Sequence, residues 1–217
     1  ELREKEHLRQ TFGLHVGREA AKQILAEEGL GGSEKEITVM FVDIRGFTAR
    51  AAGARPNEVV ELLNRFLTEM VAAVEQHGGW VNKFLGDGFM ALFGAGRGAK
   101  GHADQAVAAA GAMLGRLKRI NATIVAEGRE PLRIGIGLHT GRAVVGSIGS
   151  PERMEYTAIG DTVNVASRVE GLTKEVGRTV LLTAATRGAL ESEPPLEPLP
   201  PQSVKGQPEP LTVFALS

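Results

Sequence analysis

The chain has 217 residues, 42% of them hydrophobic and 24% charged, which suits one large domain with a sizeable core, or one domain with extensions. A net charge of -1 gives no basic footprint for nucleic acid or anionic lipid, and the absence of cysteine excludes disulfides, iron–sulfur clusters and zinc sites built on thiolates. No apolar run reaches the roughly 18 residues that would span a membrane, and no signal peptide is visible. The chain opens at Glu1 rather than Met, so it is read as a piece of something longer. A cytoplasmic location is expected for this part, with membrane attachment of the full-length protein left open.

Residues 1–36 are charged and helix-prone. Val16, Ala20, Ile24 and Leu25 recur at helical spacing before Gly29 to Gly32 break the segment, which predicts a connector helix from an upstream domain; a solvated leader is the plainer alternative. Ile37 to Ile44 ("ITVMFVDI") is a nearly continuous β-rich run, as expected of a strand buried on both faces. Pro56-Asn57 opens a helix with the stripe Val59, Leu63, Phe66, Leu67, Met70 and Val74, closed by Gly78-Gly79. "NKFLGDGFMALF" reads as a hairpin, and His102 to about Glu127 as a second long helix. Leu132 to Leu138 is expected as a strand and Ala143 to Ile148 as the strand returning from it. Asp161 is expected to cap a helix running to about Leu172. A strand at Thr179–Leu182, a helix at Ala184–Leu190, a proline-rich loop at Pro194–Pro201 and a last strand at Leu211–Leu216 complete the chain. This alternation predicts an α+β domain over residues 37–217, a mostly antiparallel sheet with helices packed on it.

Asp43 ends the first strand and Asp87 sits at the hairpin turn. Two carboxylates at strand ends that meet at one sheet edge suit hard cations such as Mg²⁺ or Mn²⁺. Asp-Gly is also the commonest hairpin turn, so Asp87 alone says little. Gly46-Phe47-Thr48 follows the strand where a helix would begin, and backbone N–H groups there could hold phosphate. Asn164 and Arg168 lie four apart, on one helix face, with Val165 and Val169 turned towards the core. An amide beside a guanidinium can orient a sugar and neutralise a phosphate, although an exposed polar face is the plain alternative.

"FVDIRGFT", "NKFLGDGFMALFG", "GIGLHTGRAVVG", "YTAIGDTVNVASR" and "VKG", in that order, resemble the catalytic domain of class III nucleotidyl cyclases over about Ile37 to Leu216. Each motif alone is weak; five in order are specific. The resemblance implies the cyclase version of a ferredoxin-like sheet, working as a head-to-tail homodimer with sites at the interface. It implies two Mg²⁺ or Mn²⁺ ions held by Asp43, Asp87 and the backbone of Ile44. Phe47 and Thr48 match the phosphate-holding turn, Arg142 and Lys205 match phosphate contacts, Asn164 the ribose-orienting residue and Arg168 the arginine that stabilises charge at the α-phosphate. Lys83 and Thr157 stand where the family reads the base.

Lys83 offers only donors and Thr157 can accept, a pair that suits adenine N1 and its exocyclic amine; guanine would favour a carboxylate in place of Lys83. The expected reaction is therefore cyclisation of ATP to 3′,5′-cyclic AMP and pyrophosphate. A threonine at 157, where many relatives carry aspartate, is similar to the subclass that includes bicarbonate-responsive cyclases, which makes bicarbonate a candidate activator. The alternatives are a guanylate cyclase, a silent nucleotide-binding regulatory domain, and a pure dimerisation module that would not need Lys83 or Lys205.

Overall fold

A computed structural model describes Ala21, Ile24 and residues 31–96, 100–150 and 152–216. The expected connector helix lies outside the described residues apart from Ala21 and Ile24, both helical.

Eight strands form one sheet: β1 (Gly31–Ile44), β2 (Trp80–Leu85), β3 (Gly88–Phe93), β4 (Ile134–Ser150), β5 (Arg153–Ile159), β6 (Val180–Thr183), β7 (Leu196–Pro198) and β8 (Val213–Leu216). Their order is β2-β3-β1-β4-β6-β8-β7, with β5 paired to β4 off that path. Every pairing is antiparallel except β4 with β6. Among the described residues from Gly31 onward the helices are α1 (Phe47–Ala52), α2 (Pro56–Gln76), α3 (His102–Ala126), α4 (Asp161–Glu175) and α5 (Ala184–Gly188). The α+β sheet predicted from the sequence is the one observed.

The central strand β1 is apolar on both sides because both sides are covered. Met40, Val42 and Ile44 join the core under α2 and α3, beside Phe66, Met70, Met113 and Ile124. Ile37 and Val39 face the other way, into a second cluster with Trp80, Met90, Leu92, Val145 and Tyr156. Helix α4 packs on that second face, against β4 and β1. Its Val165, Val169 and Leu172 also meet Leu181, Ala215 and Val204. Pro56 starts α2 at a position where its missing N–H costs nothing, and Gly78, at φ 76°, ends it.

Four details depart from the sequence reading. β1 begins at Gly31, six residues before Ile37, because residues 31–36 pair with β4 as a largely exposed, charged ribbon without the apolar signature. Leu132–Leu138 and Ala143–Ile148 are not a strand and its return. They lie on the single strand β4, and the return strand is β5. The glycines of β4 are sites of close approach: a Cβ on Gly137 would lie 2.2 Å from the backbone nitrogen of Glu170, and one on Gly141 2.7 Å from Thr162 Oγ1. Asp161 is the first residue of α4 rather than its cap, which is Gly160; its carboxylate still suits the positive end of the helix. Finally, the proline-rich loop contains β7, an edge strand where Pro198 breaks no interior ladder.

Candidate active site

The β2–β3 hairpin closes with Leu85 opposite Gly88, leaving Gly86-Asp87 as a two-residue loop in which Gly86 supplies φ 67°. Gly88 serves another purpose. A Cβ there would lie 2.2 Å from the carbonyl oxygen of Val42 and 3.1 Å from Asp43 Oδ1, so this glycine lets β3 press against the end of β1. The result brings Asp43 and Asp87 together: burial first, and then the charge of Asp87, raise the Asp43 pKa above its ordinary value, while Arg45 pulls it down. Two carboxylates that repel each other at a sheet edge form an open oxygen donor set that fits a hard divalent cation. Among the described residues no three acidic or histidine side chains converge into a closed cage, so further ligands would have to come from substrate or water.

A third acid, absent from the sequence reading, faces this pair. Glu170 on α4 lies with its Oε1 3.1 Å from Arg45 Nη1, in ion-pair range but off the N–H direction, so that buried oxygen has no hydrogen-bond donor. Its pKa is pushed up to about 7; burial is the largest cause, Arg45 opposes it, and Asp43 and Asp87 add to it.

Immediately after β1, Gly46 adopts φ 68° and α1 begins with no side-chain cap. The Phe47 side chain is buried in the core and Thr48 is exposed. Phe47 can therefore meet a ligand here only through its backbone, whose first-turn N–H groups have no partner within the helix.

On α4, Asn164 is exposed and Arg168 half-buried. The Arg168 guanidinium rests on the Lys205-Gly206 turn, where a Cβ on Gly206 would lie 3.0 Å from Nη2, and its buried Nη1 has no hydrogen-bond partner. Lys205 is thereby brought beside Arg168. Arg168 and Glu170 are two positions apart, about 200° around the helix at roughly 3.6 residues per turn. Glu170 turns towards the aspartates and Arg168 towards the Lys205 turn, so α4 presents these two groups on different sides.

The base-reading candidates sit where β5 is strapped to β2. Lys83 Nζ donates to Glu155 Oε2 at 2.6 Å, which holds the Glu155 pKa below its ordinary value. Thr157 Oγ1 donates to Asn82 Oδ1 at 2.7 Å, and Asn82 Nδ2 donates to the Tyr156 carbonyl at 2.6 Å. Asn82 occupies an irregularity in the β2 register between Val81 and Lys83, which frees its side chain to reach across. Neither Asn82 nor Glu155 was singled out from the sequence.

Arg142 stands apart. It lies opposite Glu36 on β4, whereas Gly135 lies opposite Asp43. That separation is about 23 Å at roughly 3.3 Å per residue, and alternation turns Arg142 to the other sheet face. Its exposed Nη1 is 3.2 Å from Glu34 Oε1.

Residues 32–217 match the family described as the adenylate and guanylate cyclase catalytic domain. The chain belongs to this cyclase family. Adenylate cyclase 1 of Rhizobium meliloti (strain 1021) is 37% identical over 207 residues, 94% of this chain and 31% of that protein. The chain spans about a third of the length of the curated relatives it matches. The crystal structure of the adenylyl cyclase CyaB from P. aeruginosa superposes with a TM-score of 0.79 at 33% identity, covering 87% of this chain and 96% of that one. The guanylyl cyclase Cya2 is similar at a TM-score of 0.76 and 32% identity, covering 86% and 94%. The class III nucleotidyl cyclase fold inferred from the five motifs is thus the fold of this chain. Among the described residues no helix is long and apolar enough to cross a membrane.

Proposed function

We propose that this cyclase domain converts ATP to 3′,5′-cyclic AMP and pyrophosphate, at sites shared between two copies of the chain. The observation that carries the choice of ATP is the bond from Thr157 to Asn82. With its proton given to Asn82, the Thr157 hydroxyl has only lone pairs to offer, which suits the adenine amine. Lys83 gives one proton to Glu155 and keeps two N–H bonds for a ring acceptor such as adenine N1.

Asp43, Asp87 and the Ile44 carbonyl would hold two Mg²⁺ or Mn²⁺ ions, which supply Lewis acidity at the ribose 3′-hydroxyl and the triphosphate. The first-turn N–H groups of Phe47 and Thr48 and the ammonium of Lys205 bind phosphate oxygens. Asn164 orients the ribose. Arg168 is suited to the charge that develops at the α-phosphate, because its buried Nη1 has a donor to spare. No described side chain is placed as an obvious base, so the proton is assigned to water or to a substrate phosphate. Sharing between copies is supported by the divergence of Arg168 from the aspartates on α4. Arg142 joins the phosphate contacts only if the partner brings phosphate to it. Residues 1–30, which precede β1, are read as the connector to a regulatory region, which fits the greater length of the relatives.

A second reading as a guanylate cyclase rests on Glu155, a carboxylate that could accept from guanine N1–H. Lys83 covers it at 2.6 Å, which favours adenine. Incubation of the purified chain with Mn²⁺ and either ATP or GTP, with cyclic AMP and cyclic GMP measured, decides between them. Cyclic AMP in clear excess is expected; cyclic GMP in excess, or no cyclic product, overturns the ATP assignment.

A further inference from the structure

Arg45 is the residue that physically joins the carboxylate edge to α4. Its backbone nitrogen is fixed to the Arg133 carbonyl at 2.7 Å. Its guanidinium crosses β4 in the space that Gly135 leaves open: a Cβ there would lie 1.9 Å from Arg45 Nη2 and 2.4 Å from Thr173 Oγ1. At the far side it meets Glu170 twice, the carboxylate at 3.1 Å and the main-chain carbonyl at 3.4 Å. Thr173 Oγ1 donates to that same carbonyl at 2.5 Å. Below, the backbone of Glu170 rests on Gly137 with no room for a methyl group. The side chains of Arg45 and Glu170 are 17% and 15% exposed, so little water intervenes. This stretch of α4 has no slack: displacing the end of β1 displaces Arg45, and displacing Arg45 moves the helix turn that also carries Arg168.

We propose that Arg45 and Glu170 are positioning residues that couple the two catalytic sites of the dimer, tying the strand end that holds one site's carboxylates to the helix that lends Asn164 and Arg168 to the other site. The inference rests on the shared-site reading. Electrostatics give its direction. Arg45 divides its attraction between Asp43 and Glu170. Cations on the aspartates would repel the guanidinium and leave Glu170 as its partner. Loading one site then tightens the contact that sets α4 for the other.

The test uses Asp43→Ala chains mixed with Arg168→Ala chains. The one intact site in a mixed dimer takes its carboxylates from the Arg168→Ala chain and its helix groups from the Asp43→Ala chain. Glu170→Gln, which keeps the shape and removes the charge, is placed in one chain at a time. Coupling predicts a loss of turnover of about threefold or more from either placement, the size carried by contacts of this kind. Loss from one placement alone, or from neither, overturns the coupling. Silence of the parent mixture instead overturns the shared-site reading and the coupling with it. A readout independent of turnover is amide hydrogen exchange across Asp161–Glu175, with and without Mn²⁺ and without nucleotide. Mn²⁺ is expected to slow exchange at least about threefold more in the unaltered chain than in Glu170→Gln. An equal response in both overturns the proposal, whatever the variant does to thermal stability.

Discussion

Thr157 Oγ1 donates to Asn82 Oδ1 across 2.7 Å, joining residues 75 positions apart and fixing which way a buried hydroxyl can point. The direction of that bond, rather than the presence of a threonine, makes position 157 an acceptor. Asn82→Ala frees the hydroxyl to donate and leaves the Tyr156 carbonyl without its partner. An unmade buried hydrogen bond costs about 1–3 kcal/mol. The kcat/KM ratio of ATP to GTP should therefore fall by about tenfold, with ATP losing most. Steady-state rates with both nucleotides check this. An unchanged ratio would mean that Asn82 does not set the polarity of the pocket.

Gly137 is where α4 touches the sheet. Gly137→Ala sets a methyl group 2.2 Å from the Glu170 nitrogen and 2.8 Å from the Ala166 carbonyl, both backbone atoms that cannot swing aside. Overpacking of this kind costs about 1–3 kcal/mol, or roughly 2–10 °C in Tm for a domain of this size. Thermal unfolding followed by circular dichroism measures it. A Tm within about 1 °C of the unaltered chain would contradict the packing described.

Glu170 gives a pH dependence of defined sign. Its folded pKa, at about 7, lies above the ordinary 4.5, so the folded chain holds this proton more tightly than the unfolded chain does. The stabilisation associated with it is fully present below pH 4.5 and is lost as pH rises towards 7. In the absence of divalent metal, Glu170→Gln should therefore gain stability relative to the unaltered chain between pH 5 and 8, by an amount on the order of 1–3 kcal/mol. The difference between the two proteins cancels the opposing effect of His102 and His139, whose pKa values burial lowers. Urea unfolding in EDTA at the two pH values measures it. A constant difference would show that Glu170 does not titrate in this window.

What the sequence made legible was whatever local pattern alone determines. β1 and β3 read as buried strands because both their faces are covered, and α2 read as a helix because Pro56, an apolar stripe and Gly78 mark its start, side and end. β4 read as two strands rather than one, because Gly141 between them suits a turn until the Thr162 side chain that crowds it is known. The same holds for the site. Asp43, Asp87, Asn164 and Arg168 stand out through motifs in order, and the fold sets Asp43 and Asp87 near enough to feel each other's charge. Asn82 and Glu155 matter through β5, and Glu170 through Arg45, which lies 125 positions away. No spacing rule marks such pairs, since only the packed sheet and helix bring them together.

The central claim is that each site draws its carboxylates from one chain and its helix groups from another. Asp43→Ala and Arg168→Ala should each be nearly silent as homodimers, because every site in them is defective. In a mixed dimer one site carries both defects and the other none. Random pairing of equal amounts makes half the dimers mixed, so cyclic AMP formation should return to roughly a quarter of the unaltered rate. The measurement is that rate after co-expression of the two chains, with chain exchange verified by differential tagging. Recovery near a quarter is the predicted result. A mixture as inactive as its components, although the chains have exchanged, would contradict the account and place the whole site within one chain.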